Sequence, residues 1–264
     1  MFSIRYENRV GRENRAFFSD ASWRSVARVV SGLTRRGPKG DLRRFIEGVV
    51  WILRSGAPWR DLAERFGRWD AVYRRYRRWA VAGRWEALRR ALTKTRNDQL
   101  LLIDSTIVKA HVHAAGARKS DQATEALGRS RGGFTTKLHA LVTEAGQLVR
   151  YILTGGEVND ITQAEALVRA REGVGLVGDR AYDSDAFVAH VAGLGMHVVI
   201  PSRSTRRHPR ELDAAAYARR NVVERWFGRM KVFRRMATRY DKTAGSYLGF
   251  VAAGAALVAV SGWR

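Results

Sequence analysis

Cysteine is absent from this chain of 264 residues. That excludes disulfide staples, thiolate metal sites and a cysteine nucleophile, and it suits a reducing cytosol. Acidic residues are few beside the basic ones, with 25 Asp and Glu against 48 Lys and Arg and a formal net charge of +23. A protein of small metabolites has no use for such a field, whose self-repulsion destabilises a fold. The partner it implies is a polyanion, nucleic acid first of all. No signal peptide is legible, because Arg, Glu and Asp are mixed through residues 1–32, and no internal repeat stands out. One long charge-free run, residues 247–263, is marginal in length for a bilayer and made mostly of Ala, Gly and Val. A buried closing helix is the expectation there, not a membrane span. At 45% hydrophobic residues the chain has the apolar content of folded protein, which excludes wholesale disorder.

The placement of charge says more than its total. Residues 1–100 hold 24 Lys and Arg against 10 Asp and Glu, residues 101–199 hold 10 against 11, and residues 200–264 hold 14 against 4. A neutral middle between two basic flanks suits an enzyme acting on nucleic acid. Such an enzyme needs basic surfaces for phosphates and a local excess of carboxylates for cations.

The first hundred residues read as helical. Leu42, Phe45, Ile46, Val49, Val50 and Leu53 recur at spacings of three and four, the buried face of a helix over 41–54. Ser55-Gly-Ala-Pro58 breaks it, a short helix is expected over 59–66, and Gly67 ends that one. A further helix over 70–81 sets Val72, Tyr76 and Trp79 on one stripe and Arg74, Arg75, Arg77 and Arg78 largely away from it. Two short helices about a Gly turn, the second dense in arginine, match a helix-turn-helix whose later helix enters the major groove. Trp59, Trp69, Trp79 and Trp85 read as core. From Gln99 the character turns to β, with strands expected over 99–108, 137–144, 148–154, 173–178 and 197–200, a helix over 185–194 and a long helix over 213–238. The expected architecture is α/β: a mixed sheet flanked by helices, with a helical DNA-binding domain over 1–98 and a catalytic domain over 99–264.

Three carboxylates stand where structure alone explains them poorly. Asp104 interrupts the apolar run Leu100–Ile103, Asp179 ends Val174–Gly178, and Glu224 sits in the otherwise basic or apolar Arg219–Arg225. A strand-end Asp taken singly is most often a turn cap. Together, in a chain with this charge, they read as ligands of a divalent pair, Mg²⁺ or Mn²⁺, which can activate the attacking oxygen and stabilise the leaving one in phosphoryl transfer. Other signals carry less. His111 and His113 would share a strand face, but no second histidine cluster completes a metal site. Gly128–Gly133 has the glycine spacing of a phosphate loop, yet Phe134-Thr135 replaces Lys-Ser/Thr, so a mobile basic loop with Arg129 and Arg131 on DNA fits better. Ser105 has no partnered base in the sequence.

At these residues the chain resembles bacterial insertion-sequence transposases of the DDE class, in the group marked by Tyr, two residues, Arg, three residues, Glu, six residues, Lys. Tyr217, Arg220, Glu224 and Lys231 match every spacing. The segments Trp51–Leu62, Leu101–Val108, Gly128–Lys137, Gly178–Ser184 and Arg234–Lys242 also look like family blocks, and the likeness runs from about Phe45 onward. The resemblance implies an RNase H-like core with Asp104 on the first strand, Asp179 on the fourth and Glu224 on the last helix, holding two Mg²⁺ or Mn²⁺ ions. It further implies that Tyr217, Arg220 and Lys231 bind DNA beside the cut. The expected partners are double-stranded DNA, as terminal inverted repeats and target, and a second copy of the chain, in the bacterial cytoplasm at the nucleoid. The rival readings are a domesticated DNA-binding regulator without catalysis and a metal-dependent nuclease without strand transfer.

Overall fold

The apolar run from Leu100 opens β1 (Leu100–Ala110), the strand on which the sheet is built. The computed structural model describes residues 17–33, 41–93, 99–115, 124–130, 132–169 and 174–261. Four helices precede β1: α1 (Asp20–Leu33), α2 (Asp41–Ser55), α3 (Trp69–Val81) and α4 (Arg84–Leu92). After β1 come α5 (Val112–Ala115), β2 (Gly128–Ser130), β3 (Gly133–Thr143), β4 (Leu148–Gly155), α6 (Ala164–Val168), β5 (Gly175–Val177), α7 (Asp185–Gly193) and β6 (His197–Val199). The chain closes with α8 (Ala214–Tyr217), α9 (Asn221–Lys231), α10 (Arg234–Ala237), β7 (Thr238–Arg239) and α11 (Ala244–Ser261).

β3 lies antiparallel to β1 and β4 antiparallel to β3, while β5 and then β6 continue from β1 in parallel. The strand order β4-β3-β1-β5-β6, three antiparallel and then two parallel, is that of an RNase H-like core. β2 extends the pairing of β3 at Gly133–Thr135, and β7 lies beside the end of β1. The pleat divides the apolar side chains between two faces. Leu102, Leu138, Ala140 and Val142 point to a layer made by the four N-terminal helices, α9 and α11. Leu101, Ile103 and Leu141 point to α6 and α7.

The helices before residue 93 and those after residue 221 share one apolar cluster. α11 is apolar all round, as a helix buried on every side must be, and Phe250, Val251 and Ala252 are fully inside. Its Phe250 ring stacks on Tyr76 of α3 at 4.4 Å, and the Tyr76 hydroxyl donates to the Ser246 carbonyl. Among the described residues no helix is long and apolar enough to cross a membrane. Trp79 and Trp85 are buried, and Trp59 and Trp69 pack against the same core.

Several local expectations are corrected. The segment 59–66 forms two 3-10 turns, Trp59–Asp61 and Glu64–Phe66, because Leu62 and Ala63 between them are extended. That path puts Leu62 and Phe66 both inside. The long helix over 213–238 is broken at a 3-10 turn, Ala218–Arg220, and again at Phe233, whose extended backbone turns its ring into the core while Val232 stays out. Glu224 therefore lies on α9, and α11 is the last helix. β1 ends at Ala110, so His111 and His113 follow the strand and do not share its face; their rings meet edge to face at 4.6 Å. β3 starts at Gly133, so the glycine-rich segment flanks a hairpin with Ser130 opposite Gly133, and it is not a free loop. Arg131 lies outside the described residues.

Candidate active site

β1 and β5 are neighbours in parallel, with Leu102 level with Val177. Asp104 and Asp179 each stand two residues further on. They therefore leave the sheet level with one another, with the side-chain parity of Leu102 and Val177, toward the layer that contains α9. This carboxyl edge is where open α/β sheets bind their ligands. α9 is amphipathic: Val223, Trp226, Phe227 and Met230 are buried, and Glu224 is exposed. Arg220 joins the two sides. Its guanidinium donates to the Glu224 carboxylate and lies 3.9 Å from Asp104 Oδ2. Tyr217 packs half-buried against the core, and Lys231 is exposed at the far end of α9.

Burial pushes the Asp104 carboxyl up to about 6; the Ser105 N–H and Arg220 pull it down, and the charges of Asp179 and Asp160 add to the rise. Asp104 Oδ1 accepts the Ser105 N–H at 2.7 Å, and Asp179 Oδ1 accepts the Ala181 N–H at 2.8 Å, capping the 3-10 turn Arg180–Tyr182. Asp179 thus caps a turn, as a strand-end Asp commonly does, and its charge also bears on Asp104.

Among the described residues no three carboxylate or imidazole groups close around one point. The donor set nonetheless suits a hard divalent cation, since every group is a carboxylate. A positive group, Arg220, already bridges two of them.

Two polar groups beside the site escape a reading of the sequence. Asp183, four residues after Asp179, is buried and accepts from the Arg203 N–H, Arg206 and Arg210, while Arg203 also donates to the carbonyls of Arg180 and Ala181. It ties the arginine-rich segment 203–210 to the turn that carries Asp179. Asp160 lies 2.8 Å from Ser105 Oγ and 3.0 Å from Lys137 Nζ, and no spacing in the sequence connects the three. Behind the site, Arg239 is wholly buried and donates to the carbonyls of Glu125, Ala126, Asp241 and Lys242 and to Thr136 Oγ1. The Arg234–Lys242 block is in that respect a structural clamp.

On α3, Val72, Tyr76 and Trp79 are buried. Arg74 pairs with Asp70 at 2.8 Å, and Arg75 lies over the Phe45 ring at 4.5 Å. Arg77 and Arg78 are exposed, and with Tyr73, Arg74, Val81 and Arg84 they line a shallow concavity. On β2, the exposed Arg129 lies over Phe134 at 5.1 Å.

The fold is thus an RNase H-like sheet, with Asp104 on its first core strand, Asp179 just past the end of its fourth and Glu224 on a helix across that face. The sequence model described as "Transposase DDE domain" matches residues 95–259, and that described as "Putative transposase of IS4/5 family" matches residues 18–89. The chain belongs to the DDE transposase family. It is 44% identical over 103 residues to "Uncharacterized protein y4sN" of Sinorhizobium fredii, covering 38% of this chain and 82% of that one. It is 36% identical over 127 residues to "Putative transposase for insertion sequence element IS6501" of Brucella ovis, covering 47% and 98%. Among solved structures, a piggyBac transposase synaptic complex with hairpin DNA is similar over 73% of this chain and 50% of its own, at 13% identity and a TM-score of 0.41. The family uses divalent metal in general, and its members are DNA transposases.

Proposed function

We propose that this transposase cuts double-stranded DNA at the terminal inverted repeats of an insertion sequence and joins the ends to target DNA. The observation that carries the reading is the placement of Asp104 and Asp179 two residues past the level pair Leu102 and Val177, with Arg220 joining Asp104 to Glu224. These three carboxylates would hold two Mg²⁺ or Mn²⁺ ions, which when bound supply activation of the attacking oxygen and stabilisation of the leaving oxygen. Tyr217, Arg220 and Lys231 bind the DNA backbone beside the cut. Positioning is most of the task in phosphoryl transfer, because the protein forms no covalent intermediate. Since an element has two ends, the working form is a dimer on DNA.

The basic concavity of α3 is the candidate end-reading surface, with Arg129 and Arg131 as further phosphate contacts. Arg77→Ala or Arg78→Ala should cost about 1–3 kcal/mol where the side chain reads a base, or reduce the salt slope by about 1 where it holds a phosphate. Arg75→Ala should act differently. Its guanidinium sits on Phe45, so the loss falls on thermal stability, by about 1 kcal/mol, with end-DNA affinity within twofold of the parent. Titrations of the full chain at several salt concentrations, with end and random duplexes, check both.

Incubation with end-bearing DNA and Mg²⁺, then with a target plasmid, tests the whole reading. Nicked ends joined to the plasmid are expected. Cleavage without joining would make the protein a nuclease, and end binding without either would make it a regulator.

A further inference from the structure

The face of β1 turned away from α9 carries a polar cluster that the three carboxylates do not use. Ser105 stands opposite His139 on β3, and the pleat sends Ser105, Lys137 and His139 to the α6 and α7 side. There Asp160, the first residue of the 3-10 turn Asp160–Gln163, holds Ser105 and Lys137 on one oxygen, with the His139 ring nearby. Its Oδ1 accepts the Ser105 hydroxyl at 2.8 Å and lies 3.0 Å from Lys137 Nζ and 3.7 Å from His139 Nδ1. Lys137, only 11% exposed along its side chain, also donates to the Val158 carbonyl at 2.6 Å. Burial, with Lys137 alongside, holds His139 down to about 4 against the pull of Asp160, so its ring is neutral. The delivery of Asp160 is specific. The chain leaves β4 through Gly155 and Gly156, and a Cβ on Gly156 would overlap the Thr135 side chain.

A largely buried ion pair of this kind is a poor device for stability, because desolvation offsets most of its attraction. What it does here is hold one hydroxyl. Ser105 is the residue after Asp104, its N–H donates to Asp104 Oδ1 at 2.7 Å, and its hydroxyl is locked from the other face by Asp160. The two bonds fix the peptide that sets the direction of the Asp104 carboxylate.

We propose that Asp160 is a positioning residue for the transposition reaction: with Lys137 it anchors Ser105, and through Ser105 it orients Asp104. The inference rests on the reading of Asp104 as a cation ligand. Partners that orient metal-binding groups change affinity or rate by about 10–100-fold when removed. Asp160→Asn leaves Lys137 uncompensated and invites misfolding. The informative variants are therefore Ser105→Ala, which keeps the ion pair, and the double change Asp160→Leu with Lys137→Met, which removes both charges.

The test uses the full chain. Binding of Mn²⁺ alone is followed by electron paramagnetic resonance without DNA, and single-turnover cleavage is followed at saturating end DNA. Both variants should fold, bind Mn²⁺ about tenfold more weakly and cut about tenfold more slowly, with DNA affinity within twofold of the parent. A folded variant that binds Mn²⁺ and cuts within twofold of the parent overturns the proposal. So does unfolding of Ser105→Ala, which would make the cluster structural. Asp104→Asn is the control: if it binds Mn²⁺ like the parent, the reading of Asp104 itself fails and this inference fails with it. Loss of Mn²⁺ by Asp104→Asn, with none by Ser105→Ala, sinks the positioning role alone.

Discussion

Asp104→Asn is expected to abolish strand cleavage while making the cation-free protein more stable at neutral pH. The first half follows from chemistry. Loss of one pre-organised electrostatic group at a phosphoryl-transfer site costs at least about a hundredfold in rate. The same change removes a negative charge, so attraction to DNA phosphates is not weakened. The second half follows from burial, which raises the Asp104 carboxyl to about 6, above its ordinary value of 3.8. The folded state then binds the proton more tightly than the unfolded chain. Its stabilising contribution is full below pH 4 and is lost as pH rises through about 6.

At pH 7.5 the ionised group therefore burdens the fold by up to about 3 kcal/mol, and asparagine should relieve part of that. A rise in Tm of several degrees at pH 7.5, shrinking to nothing at pH 4, is the expected calorimetric result in the absence of divalent ions. Glu224→Gln should lose cleavage as well. Being exposed, it should leave Tm close to the parent. An Asp104→Asn protein that is less stable at pH 7.5 would reassign Asp104 as a structural group.

The contrast between exposed and internal charge also explains what a reading of the sequence could and could not see. The α2 and α3 faces, β1, β4 and α7 are legible because their apolar spacing is local, and Asp104 and Asp179 are legible because each ends or interrupts an apolar run. The break at Phe233 is hidden, since Val222, Val223, Trp226, Phe227 and Met230 keep helical spacing up to the point where the chain turns. The basic excess over residues 200–264 suggests a surface for DNA throughout. Yet Arg206 and Arg210 are bound to Asp183, and Arg235 and Arg239 are buried among Trp59, Phe250 and backbone carbonyls. Composition counts such arginines as surface charge. Asp160 was invisible for a different reason: its partners lie on β1 and β3, and only the sheet register brings them together.

Asp183→Ala is expected to be the most destabilising single change near the site. Asp179 and Asp183 fall in one short segment, Gly178–Ser184, and nothing in the residue types separates their roles. Their surroundings do. The Asp183 side chain is only 1% exposed and accepts from the Arg203 N–H at 2.6 Å, from Arg206 at 2.8 Å and from Arg210. Burial alone would raise its carboxyl, but the hydrogen bonds from Arg206, the Arg203 amide and Arg210 outweigh that and hold it well below the usual carboxylate range. Removing one partner of a buried, hydrogen-bonded charge group costs about 3–5 kcal/mol, because the arginines are left facing one another. In a chain of this size that is roughly 6–20 °C in Tm. The sign with pH is opposite to that of Asp104. A depressed carboxyl stabilises the fold above its unfolded value near 4, and the contribution is lost as pH falls toward its folded value. The gap in Tm between parent and Asp183→Ala should therefore be full at pH 7 and narrow steadily below pH 4. Cleavage should fall too, because Arg203 braces the carbonyls of the turn that Asp179 caps. Its loss should be partly recovered at lower temperature, which loss of a cation ligand would not be. Thermal scans at pH 7 and pH 3, paired with single-turnover rates at two temperatures, decide the matter. A variant with the parent's Tm at pH 7 would mean that Asp183 does not hold the segment 203–210.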